Sequence, residues 1–95
     1  MTASQTWADD DVPRPLSSVK TALVDSEAVL YDMASGRALL LNTTAALVWA
    51  ALGELTVGDV AELLADEHEV DAGRMRDDLQ RVLTELETAG VLGRA

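Results

Sequence analysis

The first half of the chain contains three short apolar runs separated by two polar turns. The runs cover residues 19–23, 28–31 and 37–41, and the turns between them are rich in Asp, Ser and Gly. This spacing predicts an antiparallel three-stranded meander. The second and third runs are apolar at successive positions, which is typical of strands that are covered on both faces or covered on one face by a partner.

Three helices are predicted after the strands, and each begins at a side chain that can cap a helix N-terminus. The three caps are Asn42, Thr56 and Asp71. Gly53 and Gly90 are placed to end the first and third helices. The element order predicts an α+β fold of winged-helix type, in which an N-terminal three-stranded antiparallel sheet is followed by three helices.

The first sixteen residues differ from the rest of the chain. Residues 1–16 are polar, contain both prolines and include three consecutive Asp residues. Prolines favour extended neighbours and chain ends rarely order, so we expect a flexible tail over 1–16 and a folded domain over 17–95. Trp7 is interpreted as an incidental residue of this tail. Trp49, in contrast, is assigned to the core, where its indole N–H needs an acceptor.

Composition excludes several kinds of ligand. Seventeen acidic residues against seven basic ones give a net charge of −10, which suits neither DNA nor RNA, so no nucleic-acid partner is expected. The absence of Cys excludes thiolate metal sites, and the single His68 has no second ligand, so no metal or cofactor is expected. No apolar run approaches the ~20 residues that span a bilayer, and no secretory signal precedes the first strand. We therefore expect a cytoplasmic protein without a membrane partner.

Catalysis is not expected either, because no nucleophile, base or metal set can be placed in mutual reach. The residues suggest two other binding functions. A winged-helix DNA-binding regulator is suggested by three arginines in the third helix, but the acidic residues of the same helix oppose it. An acyl-carrier protein would need a modifiable serine at a helix start, whereas Ser26 lies in a predicted strand turn.

Seven short motifs follow one another in the order and at the spacing of the PqqD-like proteins. These proteins are also called RiPP recognition elements, where RiPP stands for ribosomally synthesised and post-translationally modified peptide. Residues 41–49, LNTTAALVW, resemble the family signature "LN-x-TAA-x-x-W". The further matches, which extend the resemblance over about residues 18–92, are Gly53, residues 56–60, Val70, Asp71, Met75, Asp78, Leu79, Val82, Leu83, Leu86 and residues 90–92. Val82 departs from the family pattern, which has an aromatic residue there, and the spacing from Gly53 to Thr56 is shortened.

The resemblance implies a binding function without chemistry of its own. In this family the leader segment of a precursor peptide adds as an extra strand beside the third strand, in a cleft against the third helix. The bound leader is handed to a modifying enzyme or a leader peptidase. The implied partners are thus a precursor leader peptide and such an enzyme, with a homodimer left open. Small stand-alone members resemble the leader-binding proteins of lasso-peptide pathways.

The expected site lies on the third strand and the third helix. Residues 37–41 carry one charge followed by bare apolar residues, which suits an exposed edge for strand addition. A strand buried on both faces is the alternative. On the helix, Leu83 and Leu86 are expected to be structural, whereas Met75, Asp78 and Val82 lie at the margin of the apolar stripe. The predicted peptide-binding residues are Arg37, Ala38, Leu39, Leu40, Leu41, Arg74, Met75, Asp78, Leu79, Arg81 and Val82.

Overall fold

A computed structural model describes residues 6–25 and 27–94. Its elements in chain order are β1 (Pro13–Pro15), β2 (Val19–Val24), β3 (Glu27–Asp32), β4 (Arg37–Leu41), α1 (Thr43–Ala51), α2 (Val57–His68), α3 (Ala72–Thr88) and β5 (Leu92–Arg94). The predicted α+β order, a three-stranded sheet followed by three helices, is confirmed. A second sheet of two strands was not predicted, and it pairs β1 with β5.

The main sheet is the antiparallel meander β2-β3-β4. Its register places Leu30 opposite Leu39 and Ala28 opposite Leu41, so these four side chains share the face that packs on the helices. Side chains alternate between the faces of a strand, and Leu40 therefore points away from the helices with 64% of its surface exposed. The strands are covered on one face only, which excludes the alternative of a strand buried on both faces.

The helix starts follow the caps that were predicted. The side chains of Asn42, Thr56 and Asp71 accept hydrogen bonds from backbone N–H groups three residues later, at 2.9, 3.1 and 3.1 Å. Gly90 ends α3 with a left-handed φ of 82°, a conformation that favours glycine. Gly53 also directly follows the C-cap of its helix, which is Leu52 in α1, but it does not adopt a left-handed φ there.

The core lies between the inner face of the main sheet and the three helices. It is aliphatic, and its largest fully buried members after Trp7 are Leu30, Leu79, Leu83, Leu86 and Val48. Trp49 is 8% exposed, and its indole N–H donates to the Thr21 hydroxyl on β2 at 3.0 Å. Both expectations for Trp49, core position and a partner for its N–H, are met. None of the described helices is both long and apolar enough to cross a membrane.

Residues 6–16, named here the N-terminal segment, are part of the folded domain. Trp7 is 1% exposed, its backbone N–H donates to Oε1 of Gln80 on α3 at 2.9 Å, and the Arg94 guanidinium lies 3.8 Å from the centre of its ring. The backbone carbonyls of Asp9 and Asp11 accept from the first two N–H groups of α2. The prediction of a loose tail over 1–16 is thus corrected for 6–16, and residues 1–5 lie outside the described residues.

The reason for this correction is physical. A polar chain end that contains two prolines is typical of a segment that does not order, unless an apolar side chain anchors it. One tryptophan supplies that surface, since it buries as much area as two or three small aliphatic side chains. The prolines that disfavour a helix fit an edge position, and Pro13 and Pro15 flank Arg14 in the short strand that pairs with β5.

Candidate functional site

Strand β4 is an edge of the main sheet. One side pairs with β3, and on the other side no strand is present in the described part of the chain. An edge of this kind exposes backbone N–H and C=O groups that can pair with another extended chain. Such edges are commonly protected by charge or proline, yet Arg37 is the one charged residue of β4 and lies at its beginning.

An open groove lies between this edge and the C-terminal half of α3. It encloses about 440 Å³ and is mostly apolar. Strand β4 and α1 contribute Leu39, Leu40, Leu41, Asn42 and Ala45, and α3 with the residue after it contributes Val82, Thr84, Glu85, Leu86, Thr88 and Ala89. Glu85 is the only charged residue among these lining residues. The arrangement suits an extended peptide with apolar side chains, because the edge offers main-chain pairing and the groove accepts alternate side chains.

A smaller pocket of about 60 Å³ continues the groove towards the start of β4. Leu39 and Ala89 line both cavities, while Arg37 and Val91 line only the smaller one. The beginning of β4 therefore faces the end of α3, and the end of β4 faces Val82, about two helical turns earlier. Strand and helix run in opposite directions along one continuous groove.

The carboxylate of Asp32, which lies at the Arg37 end of the groove, already accepts three hydrogen bonds. The hydroxyl groups of Ser18 and Ser35 donate to it at 2.8 and 2.9 Å, and the backbone N–H of Ala34 donates at 3.1 Å. These bonds, that from Ser18 foremost, hold the pKa of Asp32 below its usual value of 3.8. Asp32 is cross-strand neighbour to Arg37, but it makes no ion pair with Arg37 within the described residues.

Comparison with known proteins gives this site a family context. The sequence model of coenzyme PQQ synthesis protein D, PqqD, matches residues 27–92. The chain belongs to the PqqD family.

Two solved structures are similar to this PqqD-family chain. One is lasso peptide synthetase B1 complexed with the leader peptide, which is 32% identical with a TM-score of 0.73, over 85% of this chain and 96% of that one. The other is TbiB1 in complex with the TbiA(beta) leader peptide, which is 23% identical with a TM-score of 0.75, over 83% of this chain and 93% of that one. The second likeness is one of fold. No curated protein matches the chain significantly.

The structure brings together only part of the predicted site. Residues 37–41 and Val82 lie along the groove or its extension. Met75 and Leu79 line neither cavity, and Leu79 is fully buried in the core. The full burial of Leu79 contradicts its assignment to the peptide-contacting surface, whereas contact of Met75 with a peptide stays a prediction.

The remaining predicted helix residues precede the groove residue Val82 on α3, Arg81 directly, Asp78 by about one turn and Arg74 by about two turns. Arg81 and Asp78 form an exposed ion pair of 3.5 Å with each other. Neither they nor Arg74 line the groove, and their contact with a peptide stays a prediction.

Sequence reasoning missed the groove residues at the end of α3 and on α1. Glu85 and Ala89 follow Val82 along the helix on the flank beside the apolar stripe, and Ala45 projects from α1. Helical periodicity identifies this flank but not the part of its length that faces β4. That choice depends on the opposite directions of β4 and α3, which no local pattern encodes.

Metal binding has no geometric support in the described part of the molecule. Within residues 6–25 and 27–94 no three His, Asp or Glu side chains converge in a way that could hold an ion. His68 ends α2 beside acidic, exposed neighbours.

Proposed function

We propose that this PqqD-family protein binds the leader segment of a ribosomally synthesised precursor peptide and presents it to a modifying enzyme or leader peptidase. The leader adds as a fourth strand beside β4, with alternate side chains in the groove against α3. The observation that carries this proposal is an apolar groove directly beside an unpaired strand edge. It is supported by the two similar structures, each of which is a complex with a leader peptide.

We propose separate roles for the strand and the helix. Backbone groups of residues 37–41 pair with the main chain of the leader, which provides affinity with little sequence preference. Leu39, Leu41 and Val82 surround the inward side chains of the leader and provide preference for apolar residues. Strand pairing with a few apolar anchors is sufficient for a micromolar dissociation constant, which corresponds to about −8 kcal/mol.

The proposed action is binding, with the chemistry supplied by the partner enzyme. A winged-helix DNA-binding function has no supporting observation. Three arginines lie on α3, but Asp77, Asp78, Glu85 and Glu87 lie on the same helix, and the chain has a net charge of −10. Phosphate neutralisation needs a basic surface that this helix does not offer.

Titration calorimetry with leader and core fragments of the cognate precursor tests the proposal. We expect the leader fragment to bind with micromolar or tighter affinity and the core fragment not to bind. Binding through the core fragment alone would contradict the proposal.

Proline substitution tests the role of the edge. Leu40→Pro removes one backbone N–H from β4 and disfavours local strand pairing, so leader binding should be lost. Leu23→Pro is the matched control, because it changes the opposite edge strand at an exposed residue far from the groove. Both variants must retain the circular dichroism spectrum of the wild type. A folded Leu40→Pro variant that binds the leader normally would disprove strand addition at β4.

A further inference from the structure

Three charged residues line the groove and its extension, and two of them, Arg37 and Glu85, have side chains without a partner among the described residues. Glu85 lines the main cavity, and Arg37 lines the smaller cavity that continues it. Both side chains are exposed. Neither forms an ion pair or a side-chain hydrogen bond with any other described residue, whereas Arg76, Arg81 and Arg94 are all paired.

The two charges occupy different positions along the groove. Ala89, which lies where the two cavities meet, is one helical turn or about 6 Å beyond Glu85. On the strand, Arg37 and Leu41 are four residues or about 13 Å apart. Arg37, Leu39 and Leu41 occupy every second position of β4 and therefore share its inner face. A strand added beside β4 passes the positive charge of Arg37 first, then the apolar Leu39, and then the part of the groove that contains the negative charge of Glu85.

A peptide in this groove removes water from both charges. An ionised group that loses its hydration without gaining a partner is unfavourable, and a group of like charge placed beside it is worse. Asp32 lies beside Arg37, but its carboxylate already accepts hydrogen bonds from Ser18, Ala34 and Ser35, and the other lining residues carry no charge that could compensate Arg37 or Glu85. The order of charges in the ligand therefore affects the binding free energy, in addition to its apolar content.

We infer that the groove selects leaders by charge order along the strand, with an acidic residue beside Arg37, an apolar residue over Leu39 and a basic residue beside Glu85. In an extended leader, the acidic and basic residues lie roughly four positions apart with the apolar residue midway between them. This inference rests on the proposed function and specifies the class of peptide that is bound. A leader with the same apolar residues and interchanged charges is discriminated against.

A charge-reversal experiment tests this inference with the leader that binds in the titration described above. The protein variants are Arg37→Glu, Glu85→Arg and the double reversal. The peptides are the native leader and a version with its acidic and basic residues interchanged. We expect each single reversal to weaken binding of the native leader about fivefold or more at low salt, and the double reversal to prefer the interchanged peptide. The effects should shrink at high salt because exposed charges are screened.

Two matched controls make the same charge changes elsewhere. Arg14→Glu on β1 and Glu67→Arg on α2 alter exposed residues outside both cavities and should change leader affinity less than about twofold. The neutral variants Arg37→Gln and Glu85→Gln should show the same direction of change as the reversals, with smaller size. If a charge reversal disturbs folding, these neutral variants test the inference in its place.

The outcomes separate the inference from the proposed function. If Arg37→Glu and Glu85→Arg bind the native leader like wild type while Leu40→Pro abolishes binding, charge selection is wrong and strand addition stands. Equal affinity of the wild-type protein for the native and interchanged peptides leads to the same conclusion. If the wild-type protein binds no leader at all, the proposed function fails and the inference fails with it.

Discussion

Replacement of Trp7 by alanine tests whether the N-terminal segment is an integral part of the fold. A buried tryptophan removes about 150–250 Å² from water, which at ~25 cal/mol per Å² amounts to an upper estimate of about 4–6 kcal/mol. Trp7 also lies under the Arg94 guanidinium at 3.8 Å. This stabilisation is partly offset, because the indole N–H of Trp7 has no hydrogen-bond partner among the described residues. Such a buried donor costs about 1–3 kcal/mol, which its removal recovers.

The net expectation is that Trp7→Ala lowers the free energy of unfolding by about 3 kcal/mol, at the lower end of measured Trp→Ala losses. In a domain of 60–100 residues this corresponds to a decrease in Tm of roughly 12–24 °C. Thermal melts followed by circular dichroism, together with guanidinium titrations, measure both quantities. Trp7→Phe keeps an aromatic ring and removes the unpaired N–H, so its decrease in the free energy of unfolding should be about half that of Trp7→Ala.

Met33→Ala is the control for this experiment, because Met33 is 62% exposed and its truncation should change Tm by less than about 2 °C. A Trp7→Ala variant that melts within the same 2 °C of wild type would refute the core assignment of Trp7. Leader affinity gives a second readout. Trp7 contacts the flank of α3 that bears Gln80, whereas the groove lies on the flank that bears Glu85. Affinity measured below the melting transition should therefore be nearly unchanged.

Three further variants have expected outcomes that follow from burial, hydrogen bonding and pKa. Met75→Ala should lower the free energy of unfolding by about 2–4 kcal/mol in denaturant titrations, because Met75 is buried, whereas the partly exposed Asp78→Ala should change it by less than about 0.5 kcal/mol. Thr21→Val leaves the Trp49 indole N–H without its acceptor and should cost about 1–3 kcal/mol in the same assay. The lowered pKa of Asp32 stabilises the fold above the ordinary carboxyl pKa, and this contribution is lost as pH falls through the folded-state value. Wild type should thus lose more stability than Asp32→Asn between pH 7 and pH 3, and equal losses would contradict this.

Local patterns were sufficient to predict the main sheet and the helix starts. Each of Asn42, Thr56 and Asp71 accepts its capping hydrogen bond from the residue three positions later, so the signal and its effect lie within one turn. The strand limits follow from turn residues in the same way. Predictions of this kind depend on few residues that are close in sequence, which explains their success.

The errors concern contacts between residues far apart in sequence. Trp7 meets Gln80 and Arg94, which are 73 and 87 positions away, and no periodicity in residues 6–16 announces either contact. Met75 belongs to the same apolar stripe as Val82, but Val82 lines the groove beside β4 and Met75 does not. Tertiary packing determines which part of a helix faces a groove, so the apolar stripe alone could not identify the residues of α3 that line it.

One flank of helix α3 is fixed by contacts with the rest of the protein, and the other flank lines the groove. On the first flank, Arg76 pairs with Asp9 at 3.0 Å, Gln80 bonds the backbone of Trp7, and Glu87 pairs with Arg94 at 2.9 Å. These contacts extend over three turns and connect α3 to both the N-terminal segment and β5. A wall fixed in this way does not have to be ordered when a peptide enters the groove, so less of the interaction free energy is lost to conformational entropy. The N-terminal segment and β5 thus fix α3 from the flank that lies away from the groove, and the N-terminal segment contributes no residue to the groove lining.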